Sequence, residues 1–324
     1  MTHRLVLTET LPAVGMDALA ACDGIDVSVL AEPTAVALAE ALPDADGVIM
    51  VMEQPSLTAE MIACAPRLRV ACRLGAGYDN FDVAALTARG IPLATTADAN
   101  AGTVAEHALY LMLALARRGP MLDREIKNGI WNRRFGGVEL RDKTCVVVGY
   151  GRIGRYVAQF ARAFAMNIVV VDPAVQASDV ARDGHVLAPS LEAALPRADF
   201  VVLACAYTQA TRHLINSRSL SLMKPSAFIV NVARGPVVDE QAVAAALANG
   251  SLAGAGLDVL ETEPPLAGNP LLARHDVVLT PHTASFVDTA YDRMALIIVD
   301  KAARGLRGEL TRADVVNPEC FDRR

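Results

Sequence analysis

A chain of 324 residues is too long for one ordinary domain and comfortable for two. Hydrophobic residues make up 53% and charged residues 20%, a balance that supplies packed cores and excludes an intrinsically disordered chain. The net charge of −6, with scattered lysines and arginines, gives no electrostatic basis for binding nucleic acid or an anionic membrane.

The sequence also indicates a cytoplasmic protein. Residues 1–9 form a short apolar strand pattern that turns polar too soon for a signal peptide. The most apolar long segment, residues 108–116, has about half the length of a membrane span and predicts a buried helix. The six cysteines show no C-x-x-C spacing, so we expect reduced, buried thiols and no metal site.

Short apolar runs alternate with helical patterns from end to end, which is typical of parallel βαβ folds. In the first third the pattern predicts strands near residues 4–8, 26–30, 47–52, 69–72 and 91–94. Helices are predicted between them, for example over residues 16–21 and 82–89. A long helix over residues 101–118 and an irregular stretch over residues 119–141 come next.

A second series of strands follows the irregular stretch. The pattern places these strands near residues 144–148, 167–171, 200–204, 227–231, 254–259 and 277–280. Six strands suit a complete dinucleotide-binding sheet. The chain then has a helical pattern over about residues 285–306 and a short polar tail.

The last helix is too small to form a domain, so we expect it to return to the first one. The prediction is therefore an α/β fold with two doubly wound parallel-sheet domains. A Rossmann dinucleotide-binding domain, residues 101–285, is inserted into a flavodoxin-like substrate-binding domain, residues 1–100 and 286–324.

Residues 146–154, V-V-V-G-Y-G-R-I-G, place a G-x-G-x-x-G directly after a strand and before an amphipathic helix. Gly149 permits the tight turn, Gly151 lets the backbone approach a pyrophosphate, and Gly154 lets helix and strand pack closely. The next strand ends at Asp172, where an acid hydrogen-bonds the adenosine ribose hydroxyls. Because a 2′-phosphate would meet a like charge there, the combination predicts NAD; a structural turn and a solvated acid are the alternatives.

Three polar residues follow later strands of the second series. Arg234, Glu263 and His282 fall at the edge where open parallel sheets bind ligands. Reduction of a 2-oxo acid needs a cation for the carboxylate, an acid that orients the proton donor, and the proton donor itself. These residues supply the three roles in that order. The alternatives are that Arg234 pairs with Asp239 or Glu240, that Glu263 is a solvated loop acid, and that His282 is structural.

Four segments of this region resemble the D-isomer-specific 2-hydroxyacid dehydrogenases. They are the glycine loop, N-V-A-R-G at residues 231–235, G-L-D-V-L-E-T-E-P at residues 256–264, and T-P-H at residues 280–282. The resemblance implies that His282 is the acid/base, that Glu263 supports it, and that Arg234 holds the substrate. It also implies cofactor contacts from Arg152, Ile153, Cys205, Val232, Ala233 and Asp258, together with the glycines, Asp172, Arg234 and His282.

The resemblance extends to residues 73–80, R-L-G-A-G-Y-D-N, in the outer domain. It implies that the backbone N–H groups of Ala76 and Gly77 bind the substrate carboxylate. Arg73 matches an arginine that faces the substrate phosphate in phosphoglycerate dehydrogenases, but Met52 and Glu53 stand where those enzymes often carry a second arginine. We therefore expect a small acid such as hydroxypyruvate or glyoxylate, with D-3-phosphoglycerate as the alternative.

The resemblance also bears on partners. In the family, the region that here contains Trp131, Arg133 and Arg134 forms the arm of a twofold dimer, so we expect a homodimer. Cys205 lies in A-C-A-Y, where the family usually has H-x-P-L, which makes one wall of the cofactor pocket different. An alternative of another class is an NAD-sensing, corepressor-like interaction protein, because the scaffold alone does not determine function.

Overall fold

The computed structural model of the chain describes residues 2–133 and 136–323. The strands are β1 (His3–Leu7), β2 (Ile25–Val29), β3 (Gly47–Met50), β4 (Val70–Arg73), β5 (Leu93–Thr95), β6 (Thr144–Val148), β7 (Asn167–Val171), β8 (Val186–Leu187), β9 (Phe200–Leu203), β10 (Phe228–Asn231), β11 (Gly254–Leu257) and β12 (Val277–Leu279). The α-helices are α1 (Ala13–Ala20), α2 (Ala35–Ala41), α3 (Ala59–Ala63), α4 (Val83–Ala88), α5 (Ala97–Arg117), α6 (Gly119–Lys127), α7 (Arg152–Ala163), α8 (Ala177–Arg182), α9 (Leu191–Ala194), α10 (Ser217–Leu220), α11 (Glu240–Ala248) and α12 (Asp288–Arg307). Short 3-10 helices cover Leu42–Asp44, Leu195–Arg197, Gly235–Val237, Arg312–Asp314 and Pro318–Arg323.

Residues 1–100 and 286–324 form one compact unit around a five-stranded parallel sheet. The strand order is β2-β1-β3-β4-β5, the flavodoxin-like order of a doubly wound sheet. The C-terminal helix α12 packs against α1, β3 and β4. Gly305 makes this contact possible, because a Cβ there would lie 2.4 Å from Cγ2 of Val70.

The predicted polar tail is in fact tied to the edge of this sheet. Val315 bridges Ala94 in antiparallel fashion, and the side chain of Asn317 is 2% exposed. Its Oδ1 accepts from the Leu93 N–H at 2.8 Å, and its Nδ2 donates to the Ile91 carbonyl at 3.0 Å. The tail is therefore part of the core of this unit, which its polar composition does not reveal.

Residues 101–285 form a second compact unit around a seven-stranded sheet. The order β12-β11-β10-β9-β6-β7-β8 is the Rossmann order with one further strand, β12, at the edge. All its neighbouring strands pair in parallel. The α/β prediction with two parallel sheets is confirmed, although six strands were predicted here and β8, only two residues long, was missed.

The central strands of the second sheet are buried on both faces. Val146, Val148 and Leu203 belong to the core on one face, and Val147 and Val202 to the core on the other. Such strands read as continuous apolar runs, as β6 and β9 do. Helix α5 covers the second face, and most side chains of its apolar part are buried, as predicted. Among the described residues, no helix is long and apolar enough to cross a bilayer.

The irregular stretch predicted over residues 119–141 begins instead with helix α6. Arg118 takes a left-handed conformation with φ of 51°, which ends α5 and lets a new helix start. Pro120 lies in the first turn of α6, where proline is well tolerated because its missing N–H has no partner there. The Gly-Pro pair therefore starts a helix here. Residues 128–133 have no regular structure, and Arg134 lies outside the described residues.

We predict that Asn317→Ala destabilises the protein by roughly 2–4 kcal/mol, because it leaves the buried Leu93 N–H and Ile91 carbonyl without their partner. Urea unfolding measures the change. Glu319→Ala, an exposed residue of the same tail, is the matched control and should stay within about 0.5 kcal/mol of the unmodified protein. Equal stabilities of the two variants would contradict the role given to Asn317.

Candidate active site

The loop between β6 and α7 is built to admit a dinucleotide. A Cβ at Gly149, where φ is +89°, would lie 2.6 Å from the backbone of Cys205, and one at Gly154 would lie 1.9 Å from the Gly149 carbonyl oxygen. At Gly151, by contrast, a Cβ would meet no atom within 4 Å, which leaves open space above the backbone. Arg152 and Ile153 begin α7, so the amide end of a 12-residue helix faces this loop. Such an end binds pyrophosphate.

Asp172 follows β7 directly and is bonded to the same loop. Its Oδ2 accepts from the Tyr150 N–H at 2.7 Å, and its Oδ1 accepts from the Ala174 N–H at 2.8 Å. An ionised carboxylate has about four acceptor positions, so each oxygen retains one for a ribose hydroxyl. The glycine cradle, the helix end and this carboxylate together fit a dinucleotide with free ribose hydroxyls.

Cys205 follows β9 and forms the wall against Gly149. Burial, followed by smaller effects that include the charge of Asp172, raises the pKa of its thiol to about 11. The residue is therefore a neutral, compact side chain at neutral pH. It can line a cofactor pocket by shape, but it supplies no charge there.

His282 and Glu263 are in direct contact. His282 Nδ1 lies 2.7 Å from Glu263 Oε2, and Glu263 Oε1 accepts from the Leu260 N–H at 2.9 Å. Burial raises the pKa of Glu263, but the hydrogen bonds from His282 and Leu260 and the charges of His282 and Arg234 outweigh it, so the pKa is lowered. Glu263 is thus ionised at neutral pH, and the imidazole has its Nδ1 committed to that carboxylate.

The loop after β10 positions Arg234 together with Val232 and Ala233. The buried Asn231 shapes this loop, because its Oδ1 accepts from the Ala233 N–H at 3.0 Å and its Nδ2 donates to the Arg234 carbonyl at 2.9 Å. The guanidinium donates to the Ala233 carbonyl at 2.7 Å, and its charge acts on Glu263. The structure therefore brings Arg234, Glu263 and His282 to one edge of the second sheet.

The two acids considered as partners of Arg234 have other bonds. Asp239 caps helix α11 by accepting from the Ala242 N–H at 3.0 Å. Glu240 is buried and accepts from the Glu261 N–H and from the side-chain amide of Asn269, both at 2.6 Å. Both carboxylates thus stabilise their own loops.

Asp258 follows β11 and is 2% exposed. Its carboxylate accepts from the Thr280 hydroxyl at 2.6 Å and from two backbone N–H groups, those of Thr283 at 3.0 Å and Ala284 at 3.1 Å. His107 on α5 lies 2.9 Å from the Thr280 hydroxyl oxygen. The sequence pattern predicted no role for His107 or Thr280. The one signal was that His107 stands at the beginning of the apolar part of helix α5.

In the first unit, Arg73 holds the loop that follows β4. Its guanidinium donates to the carbonyl oxygens of Leu74 at 2.7 Å and Gly77 at 3.2 Å, and its side chain is 4% exposed. Glu53 Oε1 lies 2.5 Å from Nη2 of Arg73. The residue at the position where phosphoglycerate dehydrogenases often carry a second arginine therefore neutralises the first. Ala76, which is half-buried, lies in the loop that Arg73 supports.

Residues 109–284 match the family described as D-isomer specific 2-hydroxyacid dehydrogenase, NAD binding domain. A D-3-phosphoglycerate dehydrogenase of Methanocaldococcus jannaschii is 40% identical over 293 residues, which cover 90% of this chain and 55% of that protein. The chain thus spans about half the length of this relative. A glyoxylate reductase of Pyrococcus furiosus is 36% identical over 332 residues, covering 99% of this chain and 97% of that protein.

Solved structures agree with these similarities. A glyoxylate reductase from Paecilomyes thermophila has a TM-score of 0.87 at 29% identity, covering 95% of this chain and 97% of that one. A D-lactate dehydrogenase from Aquifex aeolicus, complexed with NAD and lactic acid, has a TM-score of 0.87 at 26% identity, covering 97% and 99%. The chain therefore belongs to the D-isomer-specific 2-hydroxyacid dehydrogenase family, as its motifs predicted, and its second unit carries that family's NAD-binding domain.

Proposed function

We propose that the protein interconverts a 2-oxo acid and a D-2-hydroxy acid with NAD as the hydride carrier. The observation that carries the proposal is the contact between His282 and Glu263, with the charge of Arg234 acting on the same carboxylate. This set lies on the sheet edge that also holds the glycine loop and Asp172. Similar proteins are named as phosphoglycerate dehydrogenases and glyoxylate reductases, which supports the reaction class.

When bound, the nicotinamide supplies or accepts the hydride. His282 uses Nδ1 to bond Glu263, so Nε2 is the atom that gives a proton to the carbonyl oxygen in reduction and takes it back in oxidation. The ionised Glu263 stabilises the imidazolium form that reduction requires. The guanidinium of Arg234 holds the substrate carboxylate and stabilises negative charge that develops on the carbonyl oxygen.

The residues proposed to hold NAD belong to six loops, which follow β6, β7, β9, β10, β11 and β12 at the same edge. Gly149, Gly151, Arg152, Ile153 and Gly154 take the pyrophosphate, and Asp172 takes the adenosine ribose. Cys205, Val232, Ala233 and Asp258 line the remaining wall with Arg234 and His282. The N–H groups, the carboxylate and the small side chains of this set suit a ligand with phosphates, hydroxyls and flat rings.

The proposed substrate is a small acid such as hydroxypyruvate or glyoxylate. Ala76 and Gly77 bind its carboxylate through backbone N–H groups, on a loop held by Arg73. The pair between Arg73 and Glu53 weakens the attraction of this loop for a phosphate. D-3-phosphoglycerate is the second candidate, because Arg73 is present and the relatives with that name reach 40% identity.

A homodimer is part of the proposal. Helix α6 has no buried residue. Three apolar side chains are exposed on it or directly after it: Ile126 (52%), Ile130 (53%) and Trp131 (78%). Exposed apolar groups of this size mark an interaction surface. Sedimentation at micromolar concentration distinguishes a dimer from a monomer.

We also propose that the enzyme works in the cytoplasm. All six cysteines are free thiols, but only Cys72, Cys145 and Cys320 are buried as expected, whereas Cys64 is exposed. Burial raises the pKa of Cys72 and of Cys145 to about 12. Free thiols of this kind are typical of a reducing compartment.

The cofactor assignment predicts a strong preference for NADH over NADPH. Asp172→Ser should narrow the ratio of the two kcat/KM values by about tenfold or more, because it removes a like charge from the position of a 2′-phosphate. Glu192→Gln, an exposed acid of the same unit, should leave the ratio unchanged. Equal kcat/KM for the two cofactors in the unmodified protein would be incompatible with the assignment.

The mechanism predicts a pH shift in Glu263→Gln. Without the carboxylate charge His282 loses its proton at lower pH, so the fall of kcat/KM for reduction moves to lower pH. The rise of kcat/KM for oxidation moves in the same direction. His282→Ala should lower the rate by about 10²–10⁴-fold. Glu261→Gln is the control, since Glu261 pairs with His213; an unshifted profile in Glu263→Gln would falsify the mechanism.

Substrate choice is tested at the ion pair of the first unit. Glu53→Gln should raise the kcat/KM for 3-phosphohydroxypyruvate relative to glyoxylate by about tenfold, because it removes the negative charge that lies beside Arg73. Glu60→Gln on α3 is the control and should not change the ratio. If Glu53→Gln changes both substrates equally, Arg73 supports the loop without selecting the substrate.

An NAD-sensing, corepressor-like interaction protein is the alternative function. It is favoured if the unmodified protein binds NADH but reduces none of a panel of 2-oxo acids. The readout is the loss of nicotinamide absorbance.

A further inference from the structure

A chain of hydrogen bonds runs from helix α5 to the loop of the catalytic histidine. His107 Nε2 lies 2.9 Å from Thr280 Oγ1, which in turn lies 2.6 Å from Asp258 Oδ1. Both oxygens of Asp258 accept from backbone N–H groups, so this carboxylate acts as an acceptor and the Thr280 hydroxyl donates to it. The oxygen of Thr280 must therefore accept from His107, which places the ring proton of His107 on Nε2.

The imidazole of His107 takes part in this chain in its uncharged form. Burial lowers the pKa of its imidazole, and the opposing effect of the Asp258 charge does not reverse the shift. The ring is therefore neutral at neutral pH, with Nε2 as donor and Nδ1 as acceptor. Its neighbours on α5, Ala105 and Ala108, are fully buried. A leucine would fill such a place at a lower desolvation cost than an imidazole, so packing alone does not account for a histidine here.

At the other end, Asp258 holds three consecutive residues. Its carbonyl oxygen accepts from the His282 N–H at 2.8 Å, and its carboxylate accepts from the N–H groups of Thr283 and Ala284. The backbone of His282 needs this support, because its φ of +55° is left-handed. For a residue other than glycine that conformation costs of the order of 1–3 kcal/mol and persists only when the surroundings impose it.

We propose that His107 is a positioning residue for His282. Its Nε2–H bond keeps the Thr280 hydroxyl directed at Asp258, and Asp258 keeps residues 282–284 in the conformation that presents the imidazole to Glu263. None of these hydrogen bonds joins His107 directly to the side chain of His282 or of Glu263. The inference rests on the proposed function only in so far as His282 is the acid/base; the hydrogen-bond chain is independent of it.

Two matched pairs of variants test the chain at two links. His107→Gln keeps a side-chain N–H donor, whereas His107→Leu removes it. Thr280→Ser keeps the hydroxyl, whereas Thr280→Val has nearly the same shape without it. The Leu and Val variants should lose about tenfold or more in kcat for reduction, and the Gln and Ser variants should stay within about threefold of the unmodified protein.

Hydrogen exchange of the cofactor-free protein gives a readout that does not depend on turnover. The amides of Thr283 and Ala284 should exchange about tenfold faster or more in the Leu and Val variants, and at an unchanged rate in the Gln and Ser variants. Binding of ADP-ribose, which is expected to use the glycine loop and Asp172, should stay within about twofold in all four.

Unchanged kcat or unchanged amide exchange in both His107→Leu and Thr280→Val would overturn the proposal, as would equal losses within each pair. Loss of ADP-ribose binding along with kcat would also overturn it, because the chain would then support the whole domain. A protein that reduces no 2-oxo acid would contradict the proposed function, while the exchange rates would still decide the role of His107.

Discussion

In the second sheet every strand runs parallel to its neighbours, so the carboxyl ends of all its strands meet at one edge. The glycine loop follows β6, Asp172 follows β7, Arg234 follows β10, and Asp258 follows β11. Residues far apart in the chain thereby come within hydrogen-bond distance, as Glu263 and His282 do at 2.7 Å. Without the parallel arrangement the glycine loop and the Glu263–His282 pair would not lie at a common edge.

This same arrangement explains which parts of the fold were predictable. Buried parallel strands such as β6 and β7 are continuous apolar runs, and their predicted bounds agree with the structure. β8 is too short, and too exposed at Val186, to produce any pattern. Helix α6 buries no residue, so its apolar positions gave no signal of a core. The C-terminal tail is held by the bridge from Val315 to Ala94 and by the buried amide of Asn317, and neither contact produces a periodic pattern in the sequence.

The contacts of the candidate site likewise fall into those that the sequence predicts and those that it does not. That Arg234, Glu263 and His282 come together was predictable, because each of them follows a strand of the same parallel sheet. The pair between Arg73 and Glu53 was not, because it joins two loops whose spacing the sequence does not define. His107 was missed because its partner Thr280 lies 173 positions away. Contacts of that range depend on how α5 packs on the sheet.

The half-buried thiol of Cys205 has a further consequence for the chemistry of the pocket. Since burial raises its pKa to about 11, the thiol keeps its proton at neutral pH. Thiolates, rather than thiols, react with peroxides and electrophiles. The cysteine that lies against the glycine loop is therefore expected to react more slowly with peroxides and electrophiles than a thiol of ordinary pKa.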